Sequence, residues 1–212
     1  MIKDNLSAIL SSIPSEVTLV AVSKTKPVDR INEAYESGQL DFGENKVQEM
    51  VEKAALLPKN IRWHMIGHLQ RNKVKYIAPF VSLIQSVDSS RLLNEIEKQG
   101  KKNERVIDCL LQVRIAQEET KFGLTYKDCD SLLQKFDCTN VRIRGLMGMA
   151  SFTANQYQIE IEFRSLLEYY NQHQPQQQWD ILSMGMSGDY PLALTCGSNM
   201  IRVGSSIFGA RN

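Results

Sequence analysis

The sequence carries almost no net charge: 25 basic residues stand against 24 acidic ones, a formal balance of +1 over 212 residues. Without a basic excess there is no electrostatic case for nucleic acid or an anionic membrane as the main partner. No apolar run approaches the roughly 20 residues that span a bilayer. The opening stretch Met1–Leu10 contains Asp4 and no sustained apolar segment, so it reads as an amphipathic first helix and not as a secretory signal. The four cysteines, Cys109, Cys129, Cys138 and Cys196, form no C-x-x-C pair, which fits free thiols in a reducing cytoplasm. No linker, low-complexity tract or second composition appears, so residues 1–212 are expected to form one domain.

A hydrophobic share of 42% and a charged share of 23% are ordinary for a soluble globular chain and sufficient for a sizeable core. Short apolar runs alternate with helix-length stretches. The expected strands are Val17–Val22, Leu40–Gly43, Arg62–Ile66, Val81–Gln85, Val106–Val113, Val141–Met147, Trp179–Met184 and Met200–Val203. Between them lie helical patterns at Val28–Ser37, Lys46–Leu57, Arg71–Ala78, Ser90–Gly100, Tyr126–Phe136, Gln156–Gln172 and Tyr190–Cys196. The polar run Gln172–Gln178 around Pro175 reads as a loop or a frayed helix end. Eight strands separated by helices predict parallel βα units and a (β/α)8 TIM barrel with an extra N-terminal helix. The competitor is a doubly wound open sheet, which normally has a Gly-rich turn after its first strand; this chain has Ser23-Lys-Thr-Lys-Pro27 there.

That first strand exit is the most informative point. Five of the six residues Val17–Val22 are apolar, and the run stops at Ser23 and Lys24. α/β folds keep their ligand sites at the C-terminal ends of parallel strands. Burial there lowers the pKa of an amine and frees it to react with an aldehyde. A lone lysine at a strand end is ordinarily just solvated, so other exits must support the reading. Strand two ends in Gly43-Glu44-Asn45, strand three carries His64, and strand six ends in Gly148-Met149-Ala150. Strand seven ends in Gly185-Met-Ser187-Gly188-Asp189, and strand eight in Arg202-Val-Gly204-Ser205-Ser206. Either glycine cluster alone serves for a tight turn. Two clusters on adjacent strands, both small and hydroxylic, favour an anion cradle, and barrel phosphate sites often come from these loops. A lysine on strand one lies beside strand eight in a closed barrel. An amine and a phosphate cradle at one mouth suit a phosphorylated aldehyde such as pyridoxal 5′-phosphate.

Six motifs resemble the YggS/PROSC family of pyridoxal-phosphate homeostasis proteins: Ala21–Pro27, Phe42–Glu49, Trp63–Gly67, Arg144–Met147, Ser183–Asp189 and Ile201–Arg211. The resemblance covers nearly the whole chain. It implies a fold-type III barrel like the N-terminal domain of alanine racemase, with the cofactor held as a Schiff base on Lys24. It further implies that Ser187, Gly204 and Ser205 hold the phosphate, that Arg202 faces the pyridine nitrogen, and that Asn45 and His64 line the ring's pocket. Lys121 matches a flexible-loop lysine that the family links to cofactor movement.

The resulting expectation is a cytoplasmic, monomeric protein that stores, delivers or buffers pyridoxal 5′-phosphate, with apo-enzymes as recipients and no robust catalytic activity. An arginine opposite the ring nitrogen disfavours its protonation, and carbanion chemistry is strongest with that nitrogen protonated. The alternative is a low-activity amino-acid racemase. A metal-dependent hydrolase is a third class, but His64 and His68 straddle a strand end and Gly67, and a spacing of four suits a metal only on a helix.

Overall fold

The computed structural model describes residues 1–117 and 122–209. Its strands are β1 (Thr18–Val22), β2 (Asp41–Glu44), β3 (Arg62–Met65), β4 (Leu83–Val87), β5 (Ile107–Val113), β6 (Val141–Gly148), β7 (Ile181–Met186) and β8 (Met200–Val203). Each pairs in parallel with the next in chain order. Strand β1 also pairs with β8, in the register Thr18↔Met200 to Ala21↔Val203. This last ladder closes the sheet and excludes the open doubly wound alternative. The chain therefore folds as the expected (β/α)8 barrel.

The helices are α1 (Ile2–Ser12), α2 (Val28–Glu36), α3 (Val47–Leu56), α4 (Val74–Ile77), α5 (Ser90–Lys102), α6 (Tyr126–Gln134), α7 (Gln156–Gln177), α8 (Tyr190–Thr195) and α9 (Ser205–Phe208). The amphipathic spacing of α1 buries Ile2, Leu6 and Ile9 on one face. Helix α5 starts where the Ser89 hydroxyl accepts a hydrogen bond from the Leu92 N–H, and α6 starts at a Thr125/Asp128 capping box. Strand side chains alternate between the helices and the lumen. The outward set joins the main core. Val20, Leu83, Leu110, Met147, Ile181 and Met200 form a separate apolar cluster inside the barrel. The lumen is thus packed, as in barrels generally, and leaves room for a ligand only at its mouths.

Three local expectations shift. Strand four runs Leu83–Val87 rather than Val81–Gln85, because Val81 stays outside the ladder and Ser82 is the first to pair, donating to the Trp63 carbonyl. Helix α7 continues through Pro175 to Gln177. Proline withholds only its own N–H there, close to the helix end. The buried Trp179 ring packs against Tyr170 and His173, both with centroids at 5.8 Å, and holds the extra turn in place. Trp179 consequently precedes β7 instead of opening it. Finally, a short helix, α9, follows β8.

Candidate functional site

The exit of β1 is fixed from behind. The Ser23 hydroxyl donates to Glu44 Oε1 at 2.5 Å, and the buried Lys53 ammonium donates to the Ser23 carbonyl at 2.8 Å and to Glu44 Oε1 at 2.7 Å. Lys53 also reaches Glu49 Oε1 at 2.6 Å, which in turn accepts the Thr25 N–H. Thr25 has φ of 64°, the left-handed region that a β-branched residue rarely occupies. Such a conformation costs about 1–3 kcal/mol and is kept only where surrounding contacts enforce it. Here the Glu49–Lys53–Glu44 cluster enforces it, and the bend leaves the half-buried Lys24 on the wall of a cavity at the barrel's C-terminal mouth. Burial pushes the Glu44 carboxyl up from its ordinary value, an effect that the bonds from Lys53 and Ser23 only partly oppose.

That cavity has a volume of about 750 Å³, within the usual range for a small-molecule site. Its wall includes Lys24 from the β1 exit, Asn45 from the β2 exit, Ser187 from the β7 exit, and Arg202, Gly204 and Ser205 from β8 and the turn and helix after it. The last two exits touch directly: the Gly204 N–H donates to Ser187 Oγ at 3.1 Å. A Cβ on Gly204 would stand 3.2 Å from the Val22 carbonyl, so glycine lets the β8 exit lie against β1, near Lys24. Among the described residues, the charged ones on the wall are Lys24, Lys26, Arg202 and one carboxylate, Asp189, a balance that favours an anionic ligand. The aromatic rim is formed by Phe122, stacked on His68 at 4.2 Å, and by the exposed Phe152.

Arg202 is almost wholly buried and spends its terminal nitrogens on neutral acceptors, Ser183 Oγ at 2.5 Å and the Gly148 carbonyl at 2.9 Å. Burial draws its guanidinium down to about 10, against the pull of the Asp189 carboxylate, so it is cationic at neutral pH.

His64 sits elsewhere. It points into the lumen, but it pairs with Gly43 and Leu83 inside the β3 ladder, before the strand's last residue, Met65. It lines a second cavity, of about 490 Å³, at the N-terminal mouth with Asp41 and Arg62. Its Nε2 is 3.0 Å from Asp41 Oδ1, and Arg62 clamps the same carboxylate with two bonds. Burial alone would raise the Asp41 pKa; the hydrogen bonds from Arg62 and His64 outweigh it and bring it to about 2. The folded value lies below the ordinary 3.8, so Asp41 contributes stability above that pH and the contribution is lost as pH falls toward about 2. Asp41→Asn should therefore cost about 2 kcal/mol at pH 6, with the gap narrowing as the pH falls from about 4. Urea midpoints at several pH values check this, and a gap that ignores pH would refute it. Glu44 acts with the opposite sign: its raised pKa weakens stability as pH rises past the ordinary 4.5.

Six of the seven residues expected at the site thus share one cavity, and His64 does not. Lys121 lies outside the described residues. Sequence reading did not single out Gln112, which lines the cavity, or Gln85, Ser183, Glu44, Glu49 and Lys53. One signal was available: Glu44 falls within a strand whose every residue is buried, and a buried carboxylate calls for a buried partner.

All 212 residues match the family model described as alanine racemase, N-terminal domain. The "Pyridoxal phosphate homeostasis protein" of Haemophilus influenzae is 40% identical over 203 residues, which cover 92% of this chain and 86% of the relative. The protein of that name from Escherichia coli K12 is 34% identical, with 100% of this chain and 94% of the relative covered. Among solved structures, PipY of Synechococcus elongatus PCC7942 with PLP bound superposes with a TM-score of 0.92 at 35% identity, covering 99% of this chain and 100% of that one.

Proposed function

The chain belongs to the alanine racemase N-terminal-domain family, and from that premise we propose that it binds pyridoxal 5′-phosphate (PLP) and serves PLP homeostasis by storing, delivering or buffering it. The single observation that carries this reading is one cavity presenting the Lys24 amine, the Ser187–Gly204 contact and the buried Arg202 guanidinium together. When bound, PLP supplies an aldehyde whose condensation with an amine forms a C=N bond and releases one water. In this reading Lys24 is that amine. The Ser187 hydroxyl and the N–H groups of Gly204 and Ser205 hold the phosphate, which takes the Gly204 N–H from its present acceptor. Asn45 lines the ring. Arg202 faces the ring nitrogen and, as a cation, keeps a proton off it. An unprotonated ring nitrogen is a weak electron sink, which suits a carrier better than a racemase.

The proposal extends to partners and place. The cavity opens at the barrel mouth between exposed aromatic side chains, so the cofactor leaves without crossing the packed lumen. That route suits delivery by a cytoplasmic monomer to apo-enzymes that require PLP. Among the described residues, no helix is long and apolar enough to cross a membrane.

Incubating the purified protein with PLP should produce a visible absorbance band at one equivalent per chain. Borohydride reduction and peptide mapping should then find the label on Lys24. A protein that stays colourless at excess PLP overturns the reading. Rapid isotope exchange at Cα of added amino acids would instead make the chain an enzyme.

A further inference from the structure

His64, stranded at the far mouth, is joined to the proposed PLP site by an unbroken chain of buried hydrogen bonds. Arg202 Nη1 donates to Ser183 Oγ at 2.5 Å, and the Ser183 hydroxyl donates to Gln85 Oε1 at 2.7 Å. The Gln85 amide nitrogen lies 3.0 Å from His64 Nδ1 and 3.3 Å from the Met200 sulfur. His64 Nε2 then meets Asp41. The amide orientation follows from its neighbours: the Ser183 proton needs the Gln85 oxygen as acceptor, which turns the amide N–H groups toward His64 Nδ1 and the Met200 sulfur. Nδ1 therefore accepts, and Nε2 carries the proton that Asp41 receives. Every bond runs in one direction, from a guanidinium cation to a carboxylate. Arg202, Ser183, Gln85, His64 and Asp41 are each at most 8% exposed. In such surroundings chained hydrogen bonds polarise one another, and a broken link leaves a buried polar group without its partner.

We propose that Gln85 and Ser183 are positioning residues that hold the Arg202 guanidinium toward the cofactor's ring nitrogen, with His64 and Asp41 anchoring the far end of the chain. The inference rests on the reading of the cavity as a PLP site. It gives Gln85, which does not line the cavity, a measurable effect on the bound cofactor. Among the described residues, the charged groups around the chain are Arg62, Glu16, Asp108, Arg144 and Asp180 at the His64 and Asp41 end, and Asp189, Lys24 and Lys26 at the Arg202 end.

The test uses full-length protein loaded with PLP and reads the visible spectrum and its pH midpoint. Gln85→Met keeps the volume and removes the bonds to Ser183, His64 and Met200. It should move the midpoint by about one pH unit and weaken PLP retention about tenfold, with the borohydride-fixed label still on Lys24. Ser183→Ala should act the same way and supplies the test should Gln85→Met fail to fold. His64→Gln, which restores a hydrogen-bonding side chain, should shift the midpoint less than His64→Leu. In an Arg202→Leu background the effect of Gln85→Met should disappear. A folded Gln85→Met or Ser183→Ala protein with the wild-type spectrum and midpoint overturns the inference, as does a shift that persists undiminished without Arg202. In either case labelling of wild-type Lys24 leaves the PLP reading standing. An unlabelled wild-type protein removes that reading and this inference with it.

Discussion

Replacing Lys24 with alanine should reduce the borohydride-fixed PLP label to background while the barrel stays folded. Lys24 lies beyond the last β1 ladder positions, since the pairing with β2 ends at Val22↔Gly43 and that with β8 at Ala21↔Val203. Its substitution removes no core side chain, so stability should change by about 1 kcal/mol or less. Ser187, Gly204, Ser205 and Arg202 remain in place, and they should retain PLP weakly and reversibly. Absorbance after desalting, mass spectrometry after reduction and a thermal melt check all three points. A label that persists on Lys26, which lines the same cavity, would show that the amine was misassigned.

Gly145→Ala should disrupt the barrel more than a methyl group on any other glycine of the described residues. Gly145 has φ of 146°, and a Cβ built on it would stand 1.8 Å from the Ile181 carbonyl oxygen. That oxygen belongs to backbone in the β6–β7 ladder, where Gly145 pairs with Ile181, so no rotamer change can relieve the clash. The strand must shift, at a position where the β5–β6 register already slips between Cys109 and Leu110. A loss of more than about 4 kcal/mol, or failure to fold, is expected. Urea unfolding of the purified variant measures it, and a loss below about 1 kcal/mol would mean that β6 adjusts freely there. A milder shift would still reach the site, because β6 carries the Gly148 carbonyl to Arg202 and leads to Met149 on the cavity wall.

Reading these residues in order already brings together six of the residues that line the candidate cavity. The apolar run ending at Lys24 and the two glycine–serine clusters all lie at strand exits, and strand exits converge in a barrel. Backbone periodicity carries that information without any knowledge of contacts. His64 shows where it stops. The sequence places the imidazole on strand three, but its height in the lumen depends on how far each strand is staggered against the next. The registers His64↔Leu83 and Gly43↔His64 leave it below the mouth, beside Asp41. The Gln172–Gln178 run misleads for a related reason. Local composition favours a break, and only the packing of Trp179 on Tyr170 and His173 explains the longer helix.

The amino-acid order alone determined the alternation of strands and helices and the chemical types gathered at the strand exits, because both depend on short-range periodicity. Only the closed barrel decided which residues reach its C-terminal mouth, how Lys53 and two glutamates bend the chain behind Lys24, and that His64 meets Arg202 through Gln85 and Ser183. Apart from the i, i+4 pair Glu49–Lys53, those outcomes depend on strand stagger and on contacts between residues 9 to 98 positions apart, from Glu44–Lys53 to Gln85–Ser183. Such contacts are selected by three-dimensional packing, which leaves no local pattern in the chain.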